Sequence, residues 1–228
     1  MRKELEDYLN QVRRNKGQGK GCCKNCALQK DHGPALVECV DDWPEVVVVS
    51  EGPMGNLKEI EDISSWSRSL LTECYDKRCT KLSSARNMGE FIGGLTAGRI
   101  YSLHDETMTR SLYWTHTVKC FLQNKENKDK SVREIKEDRK ADFEGAIKEC
   151  NNYLKEEIRR IQPKLILAVG TSVAGKKLRE LGFGENLCEV YHPGARKTKE
   201  KKRDRLKALC EKAKQLNLTA TLPGCMNL

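Results

Sequence analysis

Residues 45–55 have the sequence EVVVVSEGPMG, and this segment decides the fold. Glu45 and the four valines after it form a largely β-branched run that is too short for a helix. Such a run is typical of a strand buried on both faces of a parallel sheet. The sequence therefore predicts a strand over 45–49, with the loop 50–55 at its carboxyl end.

Further strands and helices follow at intervals along the chain. The other predicted strands lie at 112–118, 165–169 and 187–191. Helices are predicted at 2–14, at 64–75, around Cys150 toward Arg160, and from the glycine turn at 170 to about Leu181. Strands that alternate with helices imply an α/β fold, here a three-layer α/β/α sandwich with a short, mostly parallel central sheet. Ligands bind such sheets beyond the carboxyl ends of the strands, so the loops after Val49, Val118 and Tyr191 are expected on one rim.

The size of the chain predicts one domain. With 228 residues it can bury one good core, and no long low-complexity linker divides it, so a single domain over 1–228 is expected. Within that domain we distinguish an N-terminal helix and cysteine loop at 1–30, a charged insertion at about 124–148 and a basic C-terminal helix at about 198–216.

The formal net charge of +9 favours a polyanionic partner, although ribosomal, nucleotide-binding and membrane-surface proteins share such a balance. No apolar run approaches the roughly 20 residues of a membrane helix, and the charged N-terminal helix lacks the apolar segment of a signal peptide. We therefore expect an intracellular protein, located in the cytoplasm with the nucleoid, that has no membrane partner.

Eleven cysteines in an intracellular chain of this length suggest metal ligands, buried thiols or both. Cys23 and Cys26 have the two-residue spacing with which two thiolates bind one metal centre. By itself the pair fits zinc, an iron-sulfur cluster or a redox dithiol. A zinc ribbon would need a second close pair, and a redox dithiol usually opens a helix after a strand, whereas this pair precedes the first strand. Other cysteines are scattered singly at 39, 74, 79, 120, 150, 188, 210 and 225.

Several short motifs occur in an order that resembles one known family. The chain contains Cys-x-x-Cys-x-Leu from Cys23, a valine strand ending in Glu-Gly-Pro, Thr-x-x-Val-Lys-Cys up to Cys120, Cys-x-x-Tyr-Leu from Cys150, Pro163-Lys164-Leu165-Ile166, Gly170-Thr171 and His192-Pro193. Across roughly Cys23 to Arg196 this order resembles the iron-sulfur, type four-like branch of the uracil-DNA glycosylase superfamily, with this chain as a divergent member. The resemblance implies a [4Fe-4S] cluster bound by Cys23, Cys26, Cys120 and Cys150. The remaining cysteines are then expected to be buried thiols.

The same resemblance assigns two catalytic residues to the rim. The family loop Gly-Glu-x-Pro-Gly matches residues 50–54 at Glu51 and Pro53, and the chain departs from it at Ser50 and Met54. Glu51 would place a carboxylate beside the sugar, where it orients water or stabilises an oxocarbenium-like centre. His192 corresponds to the family histidine that donates a hydrogen bond to the departing base oxygen. An isolated glutamate or histidine in such a loop is more often structural, but the ordered context favours function.

The expected base-binding residues are Gly52, Pro53, Trp66 and His116. The family usually carries an asparagine at the position of His116, and this asparagine binds both a carbonyl and the imide of uracil. An imidazole ring has one donor and one acceptor that point apart, so His116 cannot reproduce the bidentate contact. Trp66 is the expected stacking side chain, although it is out of strict register; Phe91 lies farther on, and packing on the core is the alternative role for Trp66.

The chain is strongly basic directly after the His192 loop. Residues 196–207 contain eight Lys or Arg against Glu200 and Asp204. Such a run is usually a solvated helix face, but its position beside the loop favours contact with phosphates, which gives affinity without sequence choice. The expected DNA-binding residues are Pro193, Gly194, Arg196, Lys197 and Lys199.

Together these features predict a monofunctional DNA repair glycosylase that acts in base excision repair as a monomer. It would flip out a deaminated base, expected to be uracil, and hydrolyse its N-glycosidic bond with water, leaving an abasic site and making no lyase cut. The alternative is a non-catalytic or altered-specificity iron-sulfur DNA-binding relative. A zinc-stabilised RNA-binding or ribosome-associated protein is a third class. Glu51 and His192 favour activity, whereas His116, Ser50 and the insertion favour divergence.

Overall fold

A computed structural model describes residues 2–29, 44–52, 91–95, 112–120 and 132–226 of the chain. Its centre is a four-stranded sheet made of β1 (Val46–Ser50), β2 (Leu112–His116), β3 (Leu165–Val169) and β4 (Leu187–Val190). The strands lie in the order β2-β1-β3-β4, and each neighbouring pair is parallel. The predicted α/β fold with a short parallel sheet is therefore confirmed.

Helices cover both faces of the sheet. They are α1 (Arg2–Gln18), α2 (Val132–Asp138), α3 (Lys140–Ile161), α4 (Lys176–Glu180) and α5 (Lys199–Gln215). Short 3-10 turns lie at Gly21–Cys23 and Pro223–Met226, residues 91–95 form a helical turn, and the π-type turn Thr171–Gly175 leads into α4. Within the described ranges, no helix has the length and apolar character needed to cross a membrane.

The valines of β1 show how the three layers form. Val47 and Val49 point into a core with residues of α1 and α3, whereas Val46 and Val48 point into a second core with residues of α5. All four valines are fully buried, and each stabilises the fold by about 1.5–3 kcal/mol relative to an exposed side chain. Because β1 is apolar on both faces, it must lie inside the sheet with helices on both sides.

The element bounds differ from the predicted ones in physically simple ways. β1 begins and ends one residue later than predicted, β2 ends at His116 rather than at 118, and α1 continues to Gln18. The second half of the charged segment is helical, since α2 begins at Val132. The buried side chains of Ile135 in α2 and Phe143 in α3 give these helices an apolar side. The many charged residues around them make this side hard to recognise in the sequence. The predicted helix at 64–75 lies outside the described residues.

A buried ionic network joins β2 to α3. The carboxylate of Glu157 on α3 accepts hydrogen bonds from the hydroxyls of Tyr113 and Thr115 on β2 and from the ammonium group of Lys119. Lys119 and Glu157 are 2% and 1% exposed, so either charge alone would be costly, but together they are paired and hydrogen-bonded. The network therefore fixes the segment after β2 against α3.

We expect Tyr113→Phe to destabilise the protein more than Tyr8→Phe. The first substitution removes a hydrogen bond to a buried carboxylate, worth about 1.5–3 kcal/mol, and the second removes a half-buried hydrogen bond from Tyr8 to the Tyr153 carbonyl, worth about 0.5–1.5 kcal/mol. Urea denaturation of both variants measures the two losses in unfolding free energy. Equal losses would show that the Glu157 network contributes no more than an ordinary hydrogen bond.

Candidate functional site

Glu51 is held at the carboxyl end of the sheet by backbone hydrogen bonds. The pairing of β1 and β2 continues past the last strand residues, because the Thr117 amide donates to the Ser50 carbonyl at 2.9 Å and the Val118 amide to the Glu51 carbonyl at 3.0 Å. The Thr117 hydroxyl also donates to the Glu51 carbonyl. The rim loop that the sequence identified therefore begins on a fixed backbone.

The side chain of Glu51 forms an ion pair that the sequence did not reveal. Lys136 of α2 places its Nζ 2.6 Å from Oε1 of Glu51, and the two side chains are 39% and 34% exposed. Lys136 also lies over the ring of Phe143, 5.4 Å from its centroid. A single lysine in a strongly charged segment gives no signal that would identify it as the partner of a residue 85 positions earlier.

His192 follows β4 at the same edge of the sheet as Glu51 and is held in one tautomer. The Gly194 amide donates to Nδ1 of His192 at 3.1 Å, so in the neutral ring the hydrogen is on Nε2. Burial lowers the pKa of His192, the carboxylate of Glu51 opposes this, and Lys136 and Lys202 lower the pKa further. His192 is therefore neutral at pH 7 and can donate from Nε2. The two predicted catalytic residues therefore lie at the same edge of the sheet, where the Glu51 carboxylate influences the pKa of His192.

His116 is buried in a hydrogen-bonded chain of three side chains across β1 and β2. Ser50 and His116 are register partners, and Ser50 Oγ lies 2.7 Å from Nδ1 of His116. The indole Nε1 of Trp114 donates to the same Oγ at 3.0 Å, and its ring meets the imidazole edge-on with centroids 5.6 Å apart. Burial, with a smaller contribution from Lys119, lowers the pKa of His116 to about 3. The ring is therefore neutral.

Of the other three predicted base-binding residues, only Gly52 lies among the described residues. Gly52 packs beside Phe143 and the Val118 carbonyl, and a Cβ built on it would meet both at 3.9 Å, an ordinary contact distance. Phe91, the more distant stacking candidate, packs against the apolar core that contains Trp114. Pro53 and Trp66 lie outside the described residues.

Four predicted metal ligands line one pocket. Cys23 and Cys26 come from the turn after α1, Cys120 from the segment after β2, and Cys150 from α3. Cys23, Cys120 and Cys150 are buried and Cys26 is half-buried. The sequence separates these residues widely, and the fold brings them together. Cys22 lines the same pocket, but only Cys23 has the two-residue spacing to Cys26, which favours Cys23 as the ligand.

The surroundings of this pocket disfavour free thiolates and supply compensating cations. Burial raises the pKa of Cys23 and Cys120 above the ordinary range and that of Cys150 to about 11. Two buried lysines, Lys16 and Lys119, also line the pocket. Among the described side chains, no three of His, Cys, Asp or Glu are arranged to hold a metal ion. A four-iron cluster spreads its thiolate ligands over separate irons, so its cysteines need not converge on one point.

Two of the remaining cysteines differ from the predicted buried thiols. Cys210 of α5 and Cys225 of the last 3-10 turn form a disulfide, whereas Cys188 of β4 is a buried thiol as expected. The disulfide partners are 15 positions apart and both face the α5 core, a proximity that only the fold reveals. Cys39, Cys74 and Cys79 lie outside the described residues.

The His192 loop is tied to the basic helix α5. Lys202 donates to the Pro193 carbonyl at 2.7 Å, and the Thr198 hydroxyl caps the helix by accepting from the Lys201 amide. The loop and the first turn of α5 then present the predicted DNA-binding residues Gly194, Arg196, Lys197 and Lys199 as exposed groups, with Pro193 half-buried. A cationic surface therefore adjoins the rim.

The fold and the rim together define an α/β protein in which a carboxylate and neutral imidazoles lie beside a cationic surface, beyond the strand ends. A family model described as the uracil DNA glycosylase superfamily matches residues 44–214. The chain therefore belongs to the uracil DNA glycosylase superfamily, a membership that supports DNA as its partner and base excision repair as its process. A comparison with curated proteins finds no match. The matched residues include Glu51, His116 and His192, but not Cys23 and Cys26.

We expect stability to fall in acid because of His116. Its pKa of about 3 in the folded state lies below the 6.5 of an exposed ring, so protons bind preferentially to the unfolded chain. The stabilisation is complete above pH 6.5 and is lost toward pH 3, at about 1.4 kcal/mol per pH unit. Urea denaturation between pH 6 and pH 4 should give a steeper pH dependence for the wild type than for His116→Asn. If the unfolding free energies of the wild type and His116→Asn fall equally with pH, His116 is not the neutral, buried ring described above.

Proposed function

We propose that this protein is a monofunctional DNA glycosylase that removes a deaminated base and leaves an abasic site. The observation that carries the proposal is that a carboxylate, Glu51, and an imidazole, His192, that is neutral and held as an Nε2 donor, both follow the carboxyl ends of parallel strands at one edge of the sheet. Groups of these two kinds promote hydrolysis of a glycosidic bond, because positive charge develops on the sugar while negative charge develops on the base.

Each group has a defined part in the reaction. As the C1′–N bond breaks, its electron pair leaves with the base, and the sugar becomes oxocarbenium-like. The Glu51 carboxylate stabilises this positive charge and orients the water that adds to C1′. The Nε2 hydrogen of His192 donates to the base oxygen on which negative charge accumulates, and the proton released by the water balances the departing base. Lys136 fixes the Glu51 carboxylate before substrate binds.

The cationic surface supports DNA as the substrate. The exposed side chains of Arg196, Lys197 and Lys199 follow the His192 loop directly, so phosphates bound there would bring a flipped nucleotide to the rim. These contacts carry no sequence information, which suits an enzyme that must find a lesion in any context.

A [4Fe-4S] cluster bound by Cys23, Cys26, Cys120 and Cys150 is part of the proposal. The donor set fits in kind and number, since the four predicted ligands, from three separate segments, line one pocket together with Cys22. Lys16 and Lys119 offset the negative charge of the thiolates, since both lower the pKa of neighbouring cysteines against the effect of burial. When bound, the cluster would act as a structural crosslink between the turn after α1, the segment after β2 and α3.

A relative with altered base specificity is the second candidate. The hydrogen bond between Ser50 and His116 favours it, because both residues depart from the family pattern and they contact each other. In that case the reaction is the same but the accepted base differs.

We expect Glu51→Gln to lower kcat by about 10²- to 10⁴-fold and His192→Ala by about 10²- to 10³-fold, because each removes a charge or donor used in the transition state. The assay incubates each variant with single- and double-stranded oligonucleotides that contain uracil, hypoxanthine or xanthine. Alkali then cleaves the strand at each abasic site, so the amount of cleaved strand measures base release. Glu45→Gln is the matched control: Glu45 pairs with Lys164 and is 35% exposed, but it precedes β1. Equal activity of Glu51→Gln and the wild type would contradict the assignment.

We expect replacement of any one of Cys23, Cys26, Cys120 or Cys150 by serine to reduce the iron and sulfide content of anaerobically prepared protein, with loss of the visible iron-sulfur absorbance. Cys22→Ser, in the same pocket, and Cys188→Ser, in the apolar core, should retain the cluster. Stoichiometric zinc in place of iron would contradict the cluster, and loss of iron in Cys22→Ser would change its ligand set.

A further inference from the structure

Two of the three departures from the family pattern, Ser50 and His116, form one hydrogen-bonded pair. They occupy the last residues of β1 and β2, they are register partners, and their side chains hydrogen-bond at 2.7 Å. Both are buried, at 3% and 6% exposure. Trp114, two residues before His116 on the same face of β2, donates to the same serine oxygen.

The order of these hydrogen bonds fixes where the hydrogen on His116 lies. An indole N–H can only donate, so Ser50 Oγ accepts from Trp114. If Nδ1 of His116 also donated to Ser50, the serine hydroxyl would accept twice and its own hydrogen would need a further acceptor. Among the described side chains, Ser50 Oγ is bonded to Trp114 and His116 alone. A buried hydroxyl without an acceptor is unfavourable, so Ser50 donates to Nδ1.

The remaining hydrogen of the neutral ring is therefore on Nε2. Burial keeps the ring neutral, since it lowers the pKa of His116 to about 3. The chain from Trp114 through Ser50 to His116 runs in one direction, and each hydrogen bond polarises the next. Beyond its bond to Ser50, the His116 ring thus carries one donor, at Nε2, and no acceptor. An asparagine in its place would offer both a donor and an acceptor.

We propose that Ser50 is a positioning residue that fixes His116 as an Nε2–H donor, and that this donor selects bases by a single carbonyl oxygen. The proposal rests on the proposed glycosylase function and names its substrate class. Deamination replaces an exocyclic amino group with a carbonyl oxygen in cytosine, adenine and guanine alike. A donor accepts the carbonyl of uracil, hypoxanthine or xanthine and opposes the amino group of cytosine or adenine.

The Nε2 donor of His116 does not require a hydrogen on the base nitrogen next to the carbonyl. An amide oxygen at this position would require an N–H next to the carbonyl, which restricts the accepted base edge. A single Nε2 donor lacks this requirement, so it discriminates a carbonyl from an amino group but distinguishes poorly among bases that carry a carbonyl at that position, including uracil, hypoxanthine and thymine.

The tautomer is tested by nuclear magnetic resonance on protein with ¹⁵N-labelled histidine. The chain contains four histidines, and the signals of His116 are identified by their loss in His116→Asn. We expect an unprotonated Nδ1 and a protonated Nε2 in the wild type and in Ser50→Thr, which keeps the hydroxyl. In Ser50→Ala the two nitrogen shifts should move toward each other as the tautomers mix. A protonated Nδ1 in the wild type would overturn the proposal, whatever Ser50→Ala does.

The selectivity is tested by binding, so it does not depend on hydrolysis. Single-stranded oligonucleotides carrying 2′-fluoroarabino-uracil or 2′-fluoroarabino-cytosine resist cleavage of the glycosidic bond and avoid differences in duplex stability. We expect Ser50→Ala to reduce the uracil over cytosine affinity ratio roughly tenfold, and Ser50→Thr to restore it. Thr221→Val, which removes a buried hydroxyl bonded to Glu45 beyond the other end of β1, is the control and should leave the ratio unchanged.

The outcomes separate this proposal from the proposed function. If uracil and cytosine bind equally to the wild type, or if Ser50→Ala keeps the full ratio, His116 does not select the carbonyl. If the tautomer and the affinity ratio are as expected but no base is released from natural oligonucleotides, the proposed glycosylase function is wrong. The role of Ser50 and His116 in base selection is then still supported.

Discussion

The fold depends on the burial of β1 on both faces. Its five residues are all buried, and they pair in parallel with β2 on one side and with β3 on the other. A one-residue slip would exchange the two faces, so that Val46 and Val48 would leave the α5 core and Val47 would leave the α1 and α3 core. The register is therefore fixed by packing, and with it the positions of Ser50 and Glu51 at the strand end. The chemistry of the rim follows from this constraint.

The rim gathers groups from separate parts of the chain around that strand end. β2 ends at His116, which is hydrogen-bonded to Ser50, and His192 follows β4. Lys136 of α2 forms an ion pair with Glu51. Both histidines accept a hydrogen bond at Nδ1, one from a serine hydroxyl and one from a backbone amide. Both rings are therefore donors at Nε2, and the proposed reaction uses the carboxylate and these donors on a base that leaves with negative charge on its oxygens.

The sequence predicts much of this arrangement and misses particular parts for identifiable reasons. The valine run and the glycine turn after Val169 are local signals, so the sheet and the positions of Glu51 and His192 follow from them. Lys136 is one of many lysines in a charged segment, and its contact with Glu51 depends on the helix packing of Ile135 and Phe143. The Ser50 to His116 contact depends on the parallel register, which the sequence does not state. The Cys210 to Cys225 disulfide likewise depends on how the last turn packs on α5.

The most direct measurement of the central claim is the intact mass of a uracil-containing single-stranded oligonucleotide after incubation with the anaerobically prepared protein. The glycosylase account predicts an unbroken strand that has lost the mass of the base and gained that of a hydroxyl group, with free uracil in the supernatant. A strand of unchanged mass, for uracil and for every other deaminated base, would contradict the account. A cleaved strand or a covalent adduct with the protein would contradict a monofunctional hydrolysis.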